Sequence, residues 1–243
     1  MLTDYHAHIL PALDDGARDT ETALAMLHLL QKQGVQRVVA TPHFLCHRER
    51  SVAHFLEKRQ AALAKIQDAS PIPILTGAEV ALEHGISDVQ DITKLAIGNT
   101  NLILMELPYR QFESWMADEL YHLSVAYGLQ VVLAHIHRYC AYVSKSEMQQ
   151  LLQLDAVFQI NADAFDRWKE RGLVKELLQS ERKIVFGSDC HNMTDRKPNW
   201  DVLQKRLRRS TERLHDANTI LDQHLEGAKH ISASECPDAF SHP

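Results

Sequence analysis

Along the chain, short and almost wholly apolar runs alternate with longer stretches in which apolar residues recur every three or four positions. LTDYH (2–6), QRVVATPH (36–43), PIPILTGAEV (71–80), LILMELP (102–108), LQVVLAH (129–135), AVFQIN (156–161) and KIVFGSD (183–189) have the length and residue types of strands, and they predict seven of them. TETALAMLHLLQKQG (20–34) instead carries Leu24, Leu27 and Leu30 at helical spacing, with Asp19 or Thr20 to cap its start and Gly34 to stop it. Further helices are predicted near 51–68, 113–127, 145–153, 164–179 and 199–229, and an irregular segment over 85–99. Strands separated by helices pair in parallel, because each connection must cross back over the sheet. The expected fold is therefore α/β, a closed or nearly closed barrel of seven strands in one domain over 1–231. The final SASECPDAFSHP (232–243) has little to bury and reads as a tail.

Composition narrows the picture by exclusion. A formal charge of -6 and a pI near 6.2 speak against nucleic-acid binding. The four cysteines lack CxxC spacing in a chain too long to need disulfides, which suggests a reducing compartment. The amino terminus shows no basic segment followed by an apolar one, and no run approaches the ~20 apolar residues of a membrane span. A cytoplasmic location and no membrane insertion are expected; the oligomeric state is open. The basic run KRLRRSTER (205–213) reads as a solvated helix face. What stands out is histidine, of which there are 15.

Each predicted strand ends on a residue able to coordinate or hydrogen-bond: His6 with His8, His43, Glu79, Glu106, His135, Asn161, and Asp189 with His191. In a parallel barrel the carboxyl ends of all strands converge on one face, so these residues would meet. In HAH the two imidazoles lie two positions apart and point to the same side of an extended strand. Carboxylates ending apolar runs would be costly to bury unpaired, and bound cations remove that cost. Imidazole and carboxylate without thiolate suit Mn²⁺, Fe²⁺ or Zn²⁺, and the donors are too many for a single ion.

DYHAHILPALDDGA, ATPHF, GAEV, MELPY, AHIHRY and GSDCHN, in this order, resemble the polymerase-and-histidinol-phosphatase (PHP) superfamily. More narrowly, they are similar to its bacterial protein-tyrosine phosphatases of the capsule and exopolysaccharide type. The resemblance implies a distorted, TIM-like (β/α)7 barrel with a three-metal centre, manganese most often. It implies that His6, His8, Glu79 and Asp189 hold the first metal, and that Glu79, Glu106 and His135 hold the second. Asp14, His43 and His191 would hold the third. Arg138 and Arg196 fall where the family keeps its phosphate-gripping arginines, and His43 and His191 would stand beside the reacting group. The implied substrate is phosphotyrosine in a protein, such as a bacterial tyrosine kinase that governs polysaccharide synthesis. Rival readings are a phosphatase for a small monoester such as histidinol phosphate, and a non-catalytic metal-binding regulatory module. One departure is visible: Ile136 and His137 precede Arg138, where the family usually has proline and an acid. Cys190 to Arg196 also matches the C-x5-R spacing of thiol phosphatases, but Asp189 beside the thiol and Pro198 just downstream argue against that chemistry.

Overall fold

The computed structural model describes residues 1–207 and 211–234. Arg208, Arg209 and Ser210 of the basic run, and residues 235–243 of the expected tail, lie outside the described residues. Strand β1 (Thr3–Ala7) is followed by α1 (Thr20–Lys32), β2 (Arg37–Ala40), β3 (His43–Phe44), α2 (Val52–Ala64), β4 (Ile74–Thr76), β5 (Glu79–Ala81) and β6 (Leu102–Glu106). Then come α3 (Ser114–Tyr127), β7 (Gln130–Leu133), α4 (Lys145–Leu151), β8 (Val157–Asn161), α5 (Arg171–Gln179), β9 (Ile184–Gly187), α6 (Trp200–Arg206) and α7 (Thr211–Ser234). No helix among the described residues is long and apolar enough to cross a membrane.

Helix boundaries follow local chemistry. Asp19 accepts from the Thr22 amide to start α1, and Ser144 with Glu147 forms a reciprocal capping box on α4. Gly128, at φ 64°, ends α3 in the left-handed conformation that glycine adopts most cheaply.

All strand pairs are parallel, in the orders β1-β2-β4 and β3-β5-β6-β7-β8-β9. The predicted runs 36–43 and 71–80 are thus each broken in two, at Thr41–Pro42 and Gly77–Ala78. Pro42 has no amide to donate, and bonds bridge the break instead: Thr41 N–H to Ala7 O, Gly77 N–H to Ala40 O, and Glu79 N–H to Pro42 O. The pairing therefore forms two parallel sheets, not the single closed seven-stranded ladder that the sequence suggests. The two sheets approach each other again where β1 meets β9. There Asp189 N–H donates to His6 O, and His8 N–H donates to Cys190 O.

Period-two alternation divides the strands into two apolar faces. Ile103, Met105, Val131, Leu133, Phe158, Ile160, Ile184 and Phe186 pack in the larger core, with helix residues such as Met26, Leu27, Leu30 and Leu177. Leu102, Leu104, Val132, Val157 and Val185 lie on the other face, with Tyr5 and with Leu221 from α7. Along that second face two strands change character: Leu102 and Leu104 give way to Glu106, and Val157 gives way to Gln159 and Asn161. Its carboxyl end is polar and buried. That gradient positions the site.

Candidate metal centre

The turn after β1 is folded back on itself. Ala17 N–H donates to His8 O, and a Cβ on Gly16 would lie 2.2 Å from that same carbonyl, so glycine is required there. This brings Asp14 and Asp15 beside the strand ends. His135 and Asp189, two residues beyond β7 and β9, adopt φ of 28° and 51°. Left-handed backbone is costly at such residues and concentrates where side chains must be aimed at a shared point.

Four groups of side chains bring their donor atoms within 4.8 Å of one another: His6, Glu79 and His135; His6, His8 and Asp189; His43, Glu79 and Glu106; and His8, Asp15, His43 and His191. Glu79 is the hub. Its Oε2 lies 3.2 Å from His6 Nε2, 3.1 Å from His8 Nε2 and 3.1 Å from His43 Nδ1, while its Oε1 lies 2.8 Å from His135 Nε2. Glu106 Oε1 stands 3.5 Å from His135 Nε2. Asp189 Oδ1 is 3.5 Å from the Nε2 atoms of His6 and His8. The nine residues named from the sequence as ligands thus lie in one neighbourhood, with one difference of placement. Asp14 does not join His43 and His191. Its Oδ2 takes His8 Nδ1 at 2.7 Å and the His43 amide at 3.1 Å, and its Oδ1 takes the Gly16 amide. Asp15 is the carboxylate facing His43 Nε2 and His191 Nε2, at 3.4 Å from each. In so tight a turn, consecutive side chains diverge in directions that no sequence period sets.

The electrostatics are those of a crowded donor set. Burial opposes ionisation of Glu79, but His6, His135 and His8 overcome it and hold the carboxyl well below its ordinary range. Glu106 is pushed up to about 7 by burial and by the charge of Glu79. His8 is lifted to about 10, because hydrogen bonds to Asp14 and Glu79 outweigh its burial. His191 Nε2 is buried and makes no hydrogen bond. Two imidazole Nε2 atoms 3.1 Å apart, both facing buried carboxylate oxygens, need positive charge among them, which protons on the rings or bound cations supply. The donor set fits divalent cations.

Both arginines reach this cluster. Arg138 Nη2 donates to Asp189 Oδ2, and Arg196 Nη2 donates to Asp189 Oδ1 at 3.1 Å. Tyr109 stacks on His135 with ring centres 6.0 Å apart, and its hydroxyl is 3.4 Å from Arg138 Nη1. A cavity of about 550 Å³ opens beside the cluster, lined by Leu13, Asp15, His43, Leu45, Arg48 and Glu106 among others. His137 points elsewhere, fully buried 3.7 Å from Glu170. Cys190 is also fully buried, and burial together with Asp4 holds its thiol well above the ordinary range. Its C-x5-R spacing therefore offers no accessible thiolate.

A family model for capsular polysaccharide synthesis, CpsB/CapC, matches residues 2–222. The chain belongs to the CpsB/CapC family. Tyrosine-protein phosphatase YwqE of Bacillus subtilis (strain 168) is 31% identical over 210 residues, covering 80% of this chain and 79% of YwqE. Tyrosine-protein phosphatase CpsB of Streptococcus pneumoniae is 26% identical over 232 residues, covering 84% of this chain and 90% of that one. A chain from the crystal structures of YwqE and CpsB, described as unique metal-dependent tyrosine phosphatases, superimposes with a TM-score of 0.68 at 22% identity. It covers 93% of this chain and 92% of its own, so the α/β fold of parallel sheets is shared over nearly the whole length. In this CpsB/CapC chain every residue of the cluster lies within the matched span. Asp15, Tyr109 and Gln159 are members of the neighbourhood that the strand-end pattern did not single out.

Proposed function

We propose that this chain is a metal-dependent phosphomonoesterase that removes phosphate from tyrosine residues of proteins, its substrate being a cytoplasmic bacterial tyrosine kinase controlling capsular or exopolysaccharide synthesis. One observation carries the reading: His6, His8, Glu79, His135 and Asp189 share a buried cluster, and two arginines lean on its edge. The relatives YwqE and CpsB bear the name of tyrosine phosphatase, which supports the choice of substrate. The two sheets are taken together as the distorted seven-stranded barrel of the PHP type.

His6, His8, Glu79 and Asp189 would hold one ion, Glu79, Glu106 and His135 a second, and Asp15, His43 and His191 a third, with Asp14 orienting His8. Manganese is the proposed metal. Bound divalent ions neutralise a phosphate dianion and lower the pKa of water toward neutrality. The chain's own part is binding and orientation. The guanidinium forks of Arg138 and Arg196, presently spent on Asp189, can donate paired hydrogen bonds to equatorial phosphate oxygens, where charge accumulates during transfer. Held 37% and 24% exposed, Arg196 and Arg138 reach solvent without leaving the cluster. Tyr109 and Tyr142, with ring centres 5.2 Å apart, offer an aromatic wall for the phenol. A phenolate leaves with pKa near ~10, so little assistance from an acid is needed.

The test is a substrate panel with Mn²⁺ and then with a chelator: a phosphotyrosine peptide, histidinol phosphate and a nucleotide monoester. Turnover of the peptide alone, lost on chelation and kept in Cys190→Ser, is expected. Preference for histidinol phosphate would reassign the substrate. Chelator-resistant turnover that disappears in Cys190→Ser would overturn the metal mechanism, and metal binding without turnover would leave a regulatory module.

A further inference from the structure

Gln159 lies on β8 between Phe158 and Ile160, wholly buried, and belongs to none of the donor groups. A primary amide at such a place costs stability unless all its hydrogen bonds are made. Both its oxygen and its nitrogen are hydrogen-bonded, and each of these bonds leads to the metal cluster. Oε1 accepts from the His135 amide at 2.6 Å and stands 3.2 Å from His6 Nδ1. Nε2 donates to Asn161 Oδ1 at 2.9 Å, and Asn161 Nδ2 donates to Asp189 Oδ2 at 3.1 Å. Gly187 on the adjacent strand clears the space, since a Cβ there would fall 2.9 Å from Gln159 Nε2 and 2.6 Å from His6 Cβ.

The orientation of this amide is fixed by its partner. A backbone N–H can only donate, so the atom facing His135 N must be the oxygen. The same oxygen faces His6 Nδ1, which must then carry a proton. In the neutral ring that leaves Nε2 as the bare nitrogen, and Nε2 is the atom aimed at His8, Glu79 and Asp189. His8 is arranged alike, with Nδ1 on Asp14 and Nε2 turned inward. His6 has a neutral amide where His8 has a carboxylate.

Resting on the metal-centre reading, we propose that Gln159 is a positioning residue: it holds His6 in the Nδ1–H form, with Nε2 presented to metal, and pins the left-handed backbone of His135. It touches no substrate. Groups that orient an imidazole ligand in this way commonly account for about 10–100-fold in metal affinity.

The test is Mn²⁺ affinity of the purified chain, measured by competition with a chelator in wild type, Gln159→Met and Gln159→Glu. Methionine keeps the volume and loses the acceptor; glutamate keeps both acceptor contacts. Gln159→Met is expected to bind about 10–100-fold more weakly, with Gln159→Glu recovering most of the loss. In the Zn²⁺-loaded wild type, nitrogen NMR should show a slowly exchanging proton on His6 Nδ1. Wild-type affinity in folded Gln159→Met overturns the assignment, as does equal weakening in both variants, which would trace the effect to the lost Nε2 bond to Asn161 and not to the acceptor facing His6. Should Gln159→Met fail to fold, absence of the His6 Nδ1 proton decides against it. Wild type that binds no Mn²⁺ at all would refute the metal centre itself, a separate result.

Discussion

At the scale of single residues, the site is held by pairs that do two jobs. Asp14 and His8 illustrate this, because one 2.7 Å hydrogen bond both orients the ring and stores stability in the metal-free protein. The sign follows from the two shifts. His8 rises from 6.5 to about 10 on folding, so its contribution is complete below 6.5 and is lost as pH climbs through 10. The Asp14 carboxyl is lowered from 3.8, with the His8 contact outweighing burial, so its contribution is present above 3.8 and fades below that. Metal-free Asp14→Asn should therefore be less stable than wild type by on the order of 1–2 kcal/mol between these limits. The gap should close as pH approaches 10. Denaturant titrations at several pH values measure it, and a gap independent of pH would rule out the charge pairing as its source. With metal bound the dependence should reverse, since ligand imidazoles must be unprotonated.

At the scale of elements, the close packing of β9 against β1 is the demanding feature. Gly187→Ala would set a methyl 2.6 Å from His6 Cβ and 3.0 Å from His6 N, both on a strand with no room to retreat. A loss of about 1–3 kcal/mol or more is expected, with weakened Mn²⁺ binding, because His6 is the residue displaced. Thermal melts with and without metal check both parts. The polar positions His6, Glu79, Glu106, His135 and Asp189 are legible in the sequence because apolar runs give way to them, but of these only Glu106 closes its strand: Glu79 opens β5, and His135 and Asp189 lie two residues beyond β7 and β9. The breaks at Thr41–Pro42 and Gly77–Ala78 carry only a proline and a glycine, residues that mark an interruption without saying that the chain passes from one sheet to the other. Gln159 went unnoticed for a similar reason: a lone polar residue inside an apolar strand has no sequence signature until its partners, 24 and 153 positions away, are known. Which of Asp14 and Asp15 faces His43 and His191 is set by the fold of the turn.

At the scale of the whole molecule, chemistry and anchoring occupy opposite ends of the strands. Tyr5 OH donates to Ala217 O at 2.7 Å and accepts from Leu221 N at 3.0 Å, docking α7 against the apolar ends. Arg37 adds an ion pair to Asp222 at 2.8 Å. Tyr5→Phe should lower stability by about 1–2 kcal/mol and speed amide exchange in α7, while KM for the phosphopeptide stays at the wild-type value. A raised KM would mean that α7 is coupled to the site. The meeting of β1 with β9 carries a further consequence for biosynthesis. His6 and His8 leave the ribosome well before their partner Asp189, which is made some hundred and eighty residues later. A nascent chain therefore exposes two imidazoles with nothing to complete their cage, and a prematurely terminated product holds only an open strand edge, prone to sticking. Only a polypeptide extended past His191 can assemble the full cage, so any ion captured earlier has fewer donors to hold it.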